Sequence, residues 1–316
     1  MHSEFVERFC LPHLLEARNE DGGWGFKVAS RSRAEPTAWA LLSLLNCATM
    51  PAHQEAASRA AEFLAAMQLS DGSWPSAPEA LEGSWVTSLV CLALLGQTKF
   101  SGNVTRGLNW LCDDLPGDSR LFRRLIRRLV VKNTVATQND SYYGWSWTPR
   151  TSSWVEPTSY ALIFMQRIPS ESLSGAARRR QRVGAAMLID RMCPGGGWNC
   201  GNPMVYGVAG QPQVGPTVWA LLALKHHPEQ PEVQESLSWL AENSKSIPEP
   251  SASPASLALT HIALSAYGRS DARLTEDLCA AYERNEATST VPELAWAALA
   301  LTDSGNWLKS DPNGNG

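Results

Sequence analysis

Two stretches of the chain place a carboxylic acid directly before Pro-Thr, at Glu35-Pro36-Thr37 and Glu156-Pro157-Thr158. A helix N-terminus stabilises a carboxylate as the anion, through its exposed N–H groups and its dipole. Burial among apolar residues works against this and favours the neutral acid, which can give up a proton. The same tripeptide also reads as a plain helix start, and it recurs without the acid as Gly-Pro-Thr at 215–217. Two residues beyond the threonine stand aromatic side chains, Trp39, Tyr160 and Trp219. With Trp85, Trp154 and Trp296 they account for much of the aromatic surface of the apolar segments. Such faces shape a lipophilic ligand and stabilise a cation through their quadrupoles. Packing between helices is the alternative use of each.

Histidine and cysteine are less suggestive. Cys193 and Cys200 bracket a turn, His226-His227 end an apolar segment, and His261 sits alone within another, where it reads as a core or cavity-lining residue. These spacings match no usual zinc site, so no metal and no cofactor are expected. Cys47 and Cys91 fall in leucine-rich patterns, where a free thiol acts as a small hydrophobe. Seven cysteines in such settings suit a reducing cytoplasm better than a disulfide framework.

The segments carrying these residues repeat. Pro-Thr-Ala-Trp-Ala-Leu-Leu from Pro36 returns from Val86, Pro157 and Pro216, and more weakly from Pro254 and Val291. The intervals are 50, 71, 59, 38 and 37 residues, each long enough for two helices and two loops. Apolar on nearly every side, the six segments should be buried helices, with proline at their first position. Amphipathic stretches alternate with them, at His53–Met67, Ala176–Met192, Glu232–Asn243 and Ala272–Glu283. Buried helices alternating with half-exposed ones predict an all-α fold of six hairpins closed into a double ring, an (α/α)6 toroid spanning 1–316 as one domain. A second motif precedes four of the segments: Asp21-Gly-Gly-Trp24, Gln68-Leu-Ser-Asp-Gly-Ser-Trp74, Tyr143-Gly-Trp145 and Pro194-Gly-Gly-Gly-Trp198. Glycine makes the tight turn, and the tryptophan covers it.

Gln-x-x-Asp-Gly-Ser-Trp at 68–74 resembles the glutamine–tryptophan repeat of squalene–hopene and oxidosqualene cyclases, whose toroid the protein prenyltransferases share. The resemblance covers about residues 10–302, with Arg18, Asn139 and Met192 where the other repeats would hold glutamine. It implies the toroid and, more loosely, the activity of a terpene cyclase on an isoprenoid. Hopene cyclases protonate their substrate with the middle aspartate of Asp-x-Asp-Asp-Thr at an inner-helix start. Aligning the threonine sets Glu156 first and Glu35 second in the donor's place, while Trp154 and Pro157, or Arg33 and Pro36, replace the other aspartates. Trp39, Trp85, Trp154, Tyr160, Trp219, Trp296 and His261 would then line the substrate cavity. The zinc site of the prenyltransferases needs an aspartate and a cysteine two positions apart, and the chain is read as lacking that pair. The alternative to a cyclase is a non-catalytic toroid that binds a lipid or a protein.

The bulk properties set the remaining limits. A net charge of -4 argues against a nucleic-acid partner. The opening MHSEFVERFC is not a signal peptide, and no stretch approaches a membrane span. The long second interval holds a basic amphipathic insertion at about 118–133. Within it, five arginines and a lysine oppose an apolar face over residues 120–132, a pattern suited to peripheral membrane contact on the cytoplasmic side, to packing on the toroid, or to binding a diphosphate or a partner protein.

Overall fold

The structure is a computed structural model that describes residues 2–47, 50–119, 138–139, 141–246, 253–269, 271–284, 289–302 and 306–308. Its helices are α1 (His2–Phe5), joined through a π-helical turn (Val6–Cys10) to α2 (Leu11–Glu16), then α3 (Ala34–Cys47), α4 (Pro51–Ala66), α5 (Val86–Leu94), α6 (Ser101–Asp113) and α7 (Val155–Gln166). They continue with α8 (Gly175–Asp190), α9 (Val214–Ala223), α10 (Pro231–Ser246), α11 (Pro254–Ala266), α12 (Ala272–Arg284) and α13 (Val291–Leu301). One short hairpin, Met204–Val205 with Val208–Ala209, interrupts this pattern among the described residues.

The odd-numbered helices from α3 to α13 are the six repeated apolar segments. Each packs on the next, and α13 packs back on α3, so they close a ring. Helices α4, α6, α8, α10 and α12 lie outside it, each against the inner helix that precedes it in the chain. The sixth outer place, beside α13, is filled by the first helices of the chain. A hydrogen bond from the Val291 N–H to the Phe26 carbonyl (2.9 Å) ties the same junction. This is the α/α toroid expected from the repeats, with inner helices buried nearly all round.

The repeated tryptophans and threonines make one device four times. The backbone N–H of Trp24, Trp74, Trp145 and Trp198 donates to the hydroxyl of Thr37, Thr87, Thr158 and Thr217, at 2.9, 2.9, 3.0 and 2.9 Å. The indole Nε1–H of the same tryptophans donates to Leu14, Leu64, Leu111 and Leu188, carbonyls near the C-termini of the preceding outer helices, at 2.6, 2.6, 2.8 and 2.6 Å. Each tryptophan thus pins an outer helix end to an inner helix start. Gln68 adds a further tie, with its amide donating to the Asn103 carbonyl at the start of α6 and its oxygen accepting from Asn103 and Arg106. The turn requires glycine at Gly72, where φ is +91° and an added Cβ would lie 2.7 Å from the Arg106 carbonyl oxygen.

Removing a partner from this device leaves a buried donor unsatisfied. Thr87→Val is expected to lower the unfolding free energy by about 1–3 kcal/mol in urea titration, with Thr87→Ser restoring most of it. The last inner helix starts differently. Thr290 and Glu293 form a reciprocal capping box, and the Tyr282 hydroxyl of α12 donates to the Glu293 carbonyl at 2.6 Å.

The prolines differ from expectation in one respect. Pro36, Pro157 and Pro216 are the third residues of their helices, not the first. They still lie in the first turn, where N–H groups have no intrahelical acceptor. The shift places Glu35 and Glu156 inside their helices, as second residues.

Candidate functional site

Inner helices α3, α5, α7 and α9 each start at a tryptophan turn, and their first residues form a rim around the axis. The position two before the threonine is Glu35 on α3, Trp85 before α5, Glu156 on α7 and Gly215 on α9. The structure brings together the two acids that the sequence offers as alternatives. Glu156 raises the pKa of Glu35, and both carboxyls raise that of Tyr160. Gly215 leaves the neighbouring place open, since a Cβ there would stand 3.9 Å from Oε1 of Glu156. Neither carboxyl has a hydrogen bond or ion pair among the described residues.

Burial decides their protonation. Glu35 is pushed up to about 7, by desolvation first and by the Glu156 charge second, and desolvation also raises Glu156. A helix N-terminus would pull both down. The following proline weakens that effect in each case, because it removes a backbone N–H from the first turn. Glu35 therefore holds a proton for a substantial fraction of the time at neutral pH.

One helical turn deeper, about 6 Å along the axis, lies the aromatic layer. Trp39 on α3 and Trp219 on α9, which stand opposite each other in the ring, have ring centroids 5.3 Å apart. Tyr160 lies 4.9 Å from Trp219 and 6.1 Å from Trp39, and Trp296 lies 5.7 Å from Trp39 and 6.1 Å from Trp219. Trp85 joins through Tyr160 at 5.0 Å. Two residues not singled out from the sequence complete the layer. Trp147 packs edge-on against Trp85 (5.1 Å), and Trp307, beyond the last inner helix, reaches Trp39 (6.3 Å). The axis at this depth is occupied by touching rings.

Trp154 and His261 do not join the layer. Trp154 is half-buried at the start of α7, bridged through its backbone to Trp145. His261 turns outward: its Nε2 lies 2.9 Å from the Thr275 hydroxyl on outer helix α12, and its Nδ1 lies 3.3 Å from Ser265. Its side chain is buried where α11 meets α12.

The pair of aspartate and cysteine read as missing is present, at Asp277-Leu278-Cys279. It lies on outer helix α12, where Asp277 pairs with Arg273 (3.7 Å) and Cys279 lines a surface groove against α1. Among the described residues no three His, Cys, Asp or Glu side chains gather as a metal set. All seven cysteines are free thiols. The basic stretch 120–132 lies outside the described residues, and among those described no helix is long and apolar enough to cross a membrane.

The sequence matches no family model and no curated protein. Its fold is that of several solved structures. A variant of the type II terpene cyclase MstE from Scytonema, in complex with geranylgeranyl dihydroxybenzoate, superposes with a TM-score of 0.62 at 14% identity, covering 97% of this chain and 98% of that one. A protein from Actinoplanes gives 0.61 at 15% identity, over 95% and 98%. The cellobiose 2-epimerase of Spirochaeta thermophila gives 0.61 at 12% identity, over 95% of both chains. The chain is an α/α toroid. Terpene-cyclising and sugar-active proteins share that fold, so the choice between chemistries rests on the site.

Proposed function

We propose that this toroid takes a lipophilic prenyl substrate and starts its cyclisation by proton transfer from the Glu35–Glu156 pair. The observation that carries this reading is the convergence of two unpaired carboxyls at the rim of an aromatic axis, one of them held near pKa 7. The neutral acid gives its proton to a terminal alkene carbon or epoxide oxygen. A new C–H or O–H bond forms, and the alkene electrons or the broken C–O bond leave a carbocation. Internal double bonds then attack in turn, while Trp39, Tyr160 and Trp219 offer ring faces to the moving charge. Loss of a proton to water or a base ends the sequence and allows the carboxylate to be reprotonated. No metal takes part in this scheme. The proposed setting is cytoplasmic, and the 120–132 stretch would help collect substrate from a membrane.

The second reading is a binding role without catalysis, and either role requires the axis to open. Trp39 and Trp219 already touch across the axis, so a substrate must part them to enter.

The test is incubation in deuterated water with linear polyprenyl compounds, free, diphosphorylated and aryl-linked, followed by mass spectrometry. A cyclised product carrying one non-exchangeable deuterium is expected, with at least a hundredfold less from Glu35→Gln. Product persisting in the Glu35→Gln/Glu156→Gln double variant would move the acid elsewhere. An isoprenoid that co-purifies and is never turned over would favour the binding role.

A further inference from the structure

Three of the tryptophans in the axial layer carry indole N–H groups that are buried and have no hydrogen-bond partner: Trp39, Trp296 and Trp307. The four turn tryptophans, by contrast, all have their indole N–H satisfied by a carbonyl. Buried indole N–H groups normally find an acceptor, because leaving one unmade forfeits its hydration. Here three orphans fall in one contact cluster, since Trp39 touches both of the others. Trp39 and Trp307 are almost wholly inaccessible. A cluster of donors with no acceptor is complementary to a ligand that brings one.

The charge around the cluster narrows the choice of acceptor. The ionisable groups coupled to Tyr160, a neighbour of Trp39, are the acids Glu35 and Glu156. No lysine or arginine is found in ring contact with the axial layer among the described residues. A carboxylate or diphosphate would meet acids without a cation to offset them, whereas a neutral oxygen meets only donors.

We propose that Trp39, Trp296 and Trp307 form a donor subsite for a neutral oxygen acceptor, a carbonyl, ether or hydroxyl oxygen, on an otherwise lipophilic ligand. This rests on the proposed prenyl-binding reading and refines it: the substrate class is an oxygenated prenyl compound, not a hydrocarbon and not a diphosphate. The competing explanation is that the indoles satisfy one another as N–H···π contacts. The near-perpendicular rings, at 84° for Trp39–Trp296 and 82° for Trp39–Trp307, make that a specific alternative.

Ketone and hydrocarbon are compared on the Glu35→Gln/Glu156→Gln protein, so that binding is read without turnover, and ketone and diphosphate on the chain with both acids intact, because those acids are what disfavour an anion. Farnesylacetone, the hydrocarbon of the same carbon skeleton lacking the ketone, and farnesyl diphosphate are titrated by calorimetry. The ketone is expected to bind about tenfold tighter than the hydrocarbon, and tighter than the diphosphate. Trp296→Phe keeps a ring but removes one N–H, and should shrink the ketone's advantage over the hydrocarbon. A second readout needs no substitution in the cluster: indole ¹⁵N–¹H resonances should shift with the ketone and not with the hydrocarbon.

Equal affinity for ketone and hydrocarbon, tighter diphosphate binding, unmoved indole resonances, or no binding of any probe would each overturn the subsite. Failure of cyclisation in the deuterium experiment, with the ketone preference intact, would overturn the catalytic reading alone.

Discussion

Trp39→Ala should lower the unfolding free energy by about 4 kcal/mol, among the largest losses from a single change in this fold. Trp39 is fully buried and touches four other aromatic rings, on α7, α9, α13 and the 306–308 turn. Its indole N–H has no partner, so truncation loses no hydrogen bond and the cost is that of packing. The ring around it is closed by pairwise helix contacts and cannot collapse inward without disturbing all six inner helices. A cavity should therefore persist on the axis, and added indole should raise the melting temperature of Trp39→Ala while leaving the natural chain unchanged. Trp39→Phe, which fills most of the space, should cost about 1–2 kcal/mol. A loss below 1 kcal/mol for the alanine variant, with no rescue by indole, would mean that the axial rings are not tightly packed.

The scaffold was legible because each repeat solves the same physical problem. An outer helix end must be joined to an inner helix start, and the Trp–Thr hydrogen bond does so at Thr37, Thr87, Thr158 and Thr217. A solution used four times leaves a periodic trace in the chain. The last two repeats use other means, a capping box at Thr290 and a tyrosine hydroxyl at Tyr282, and their motif is accordingly weaker in the sequence.

The candidate site was only partly legible, because its members meet through ring geometry. Glu35 and Glu156 could be found as helix-start acids. Their convergence depends on α3 and α7 flanking α5 with their first turns at the same rim. The direction taken by His261 depends on which face of α11 meets α12, and an apolar pattern on all sides of a helix does not encode that. Trp307 falls after the final repeat, so no periodicity points to it. Asp277 and Cys279 have the spacing of a ligand pair but stand on an outer helix, where no later histidine joins them.

The acid pair predicts a stability profile that is independent of any substrate. Glu35 titrates near its ordinary 4.5 when unfolded and at about 7 when folded, so between these values the folded chain holds the extra proton. The stability associated with the neutral carboxyl is present below pH 4.5 and is lost as pH rises through 7. The full shift corresponds to about 3 kcal/mol, and hydration of a half-buried carboxyl at the rim reduces this to about 1.5–2 kcal/mol. Glu35→Gln keeps the shape and cannot ionise. In urea titrations from pH 4.5 to 8.5 it should match the natural chain at the acid end and exceed it by about 1.5–2 kcal/mol at the alkaline end. Glu156→Gln should show a smaller gain and should lower the pKa of the remaining Glu35, because the Glu156 charge is one of the two causes of its shift. Parallel profiles for the natural chain and Glu35→Gln would show that the carboxyl is hydrated in the folded state. The rim would then hold two ordinary carboxylates with no proton to give at neutral pH.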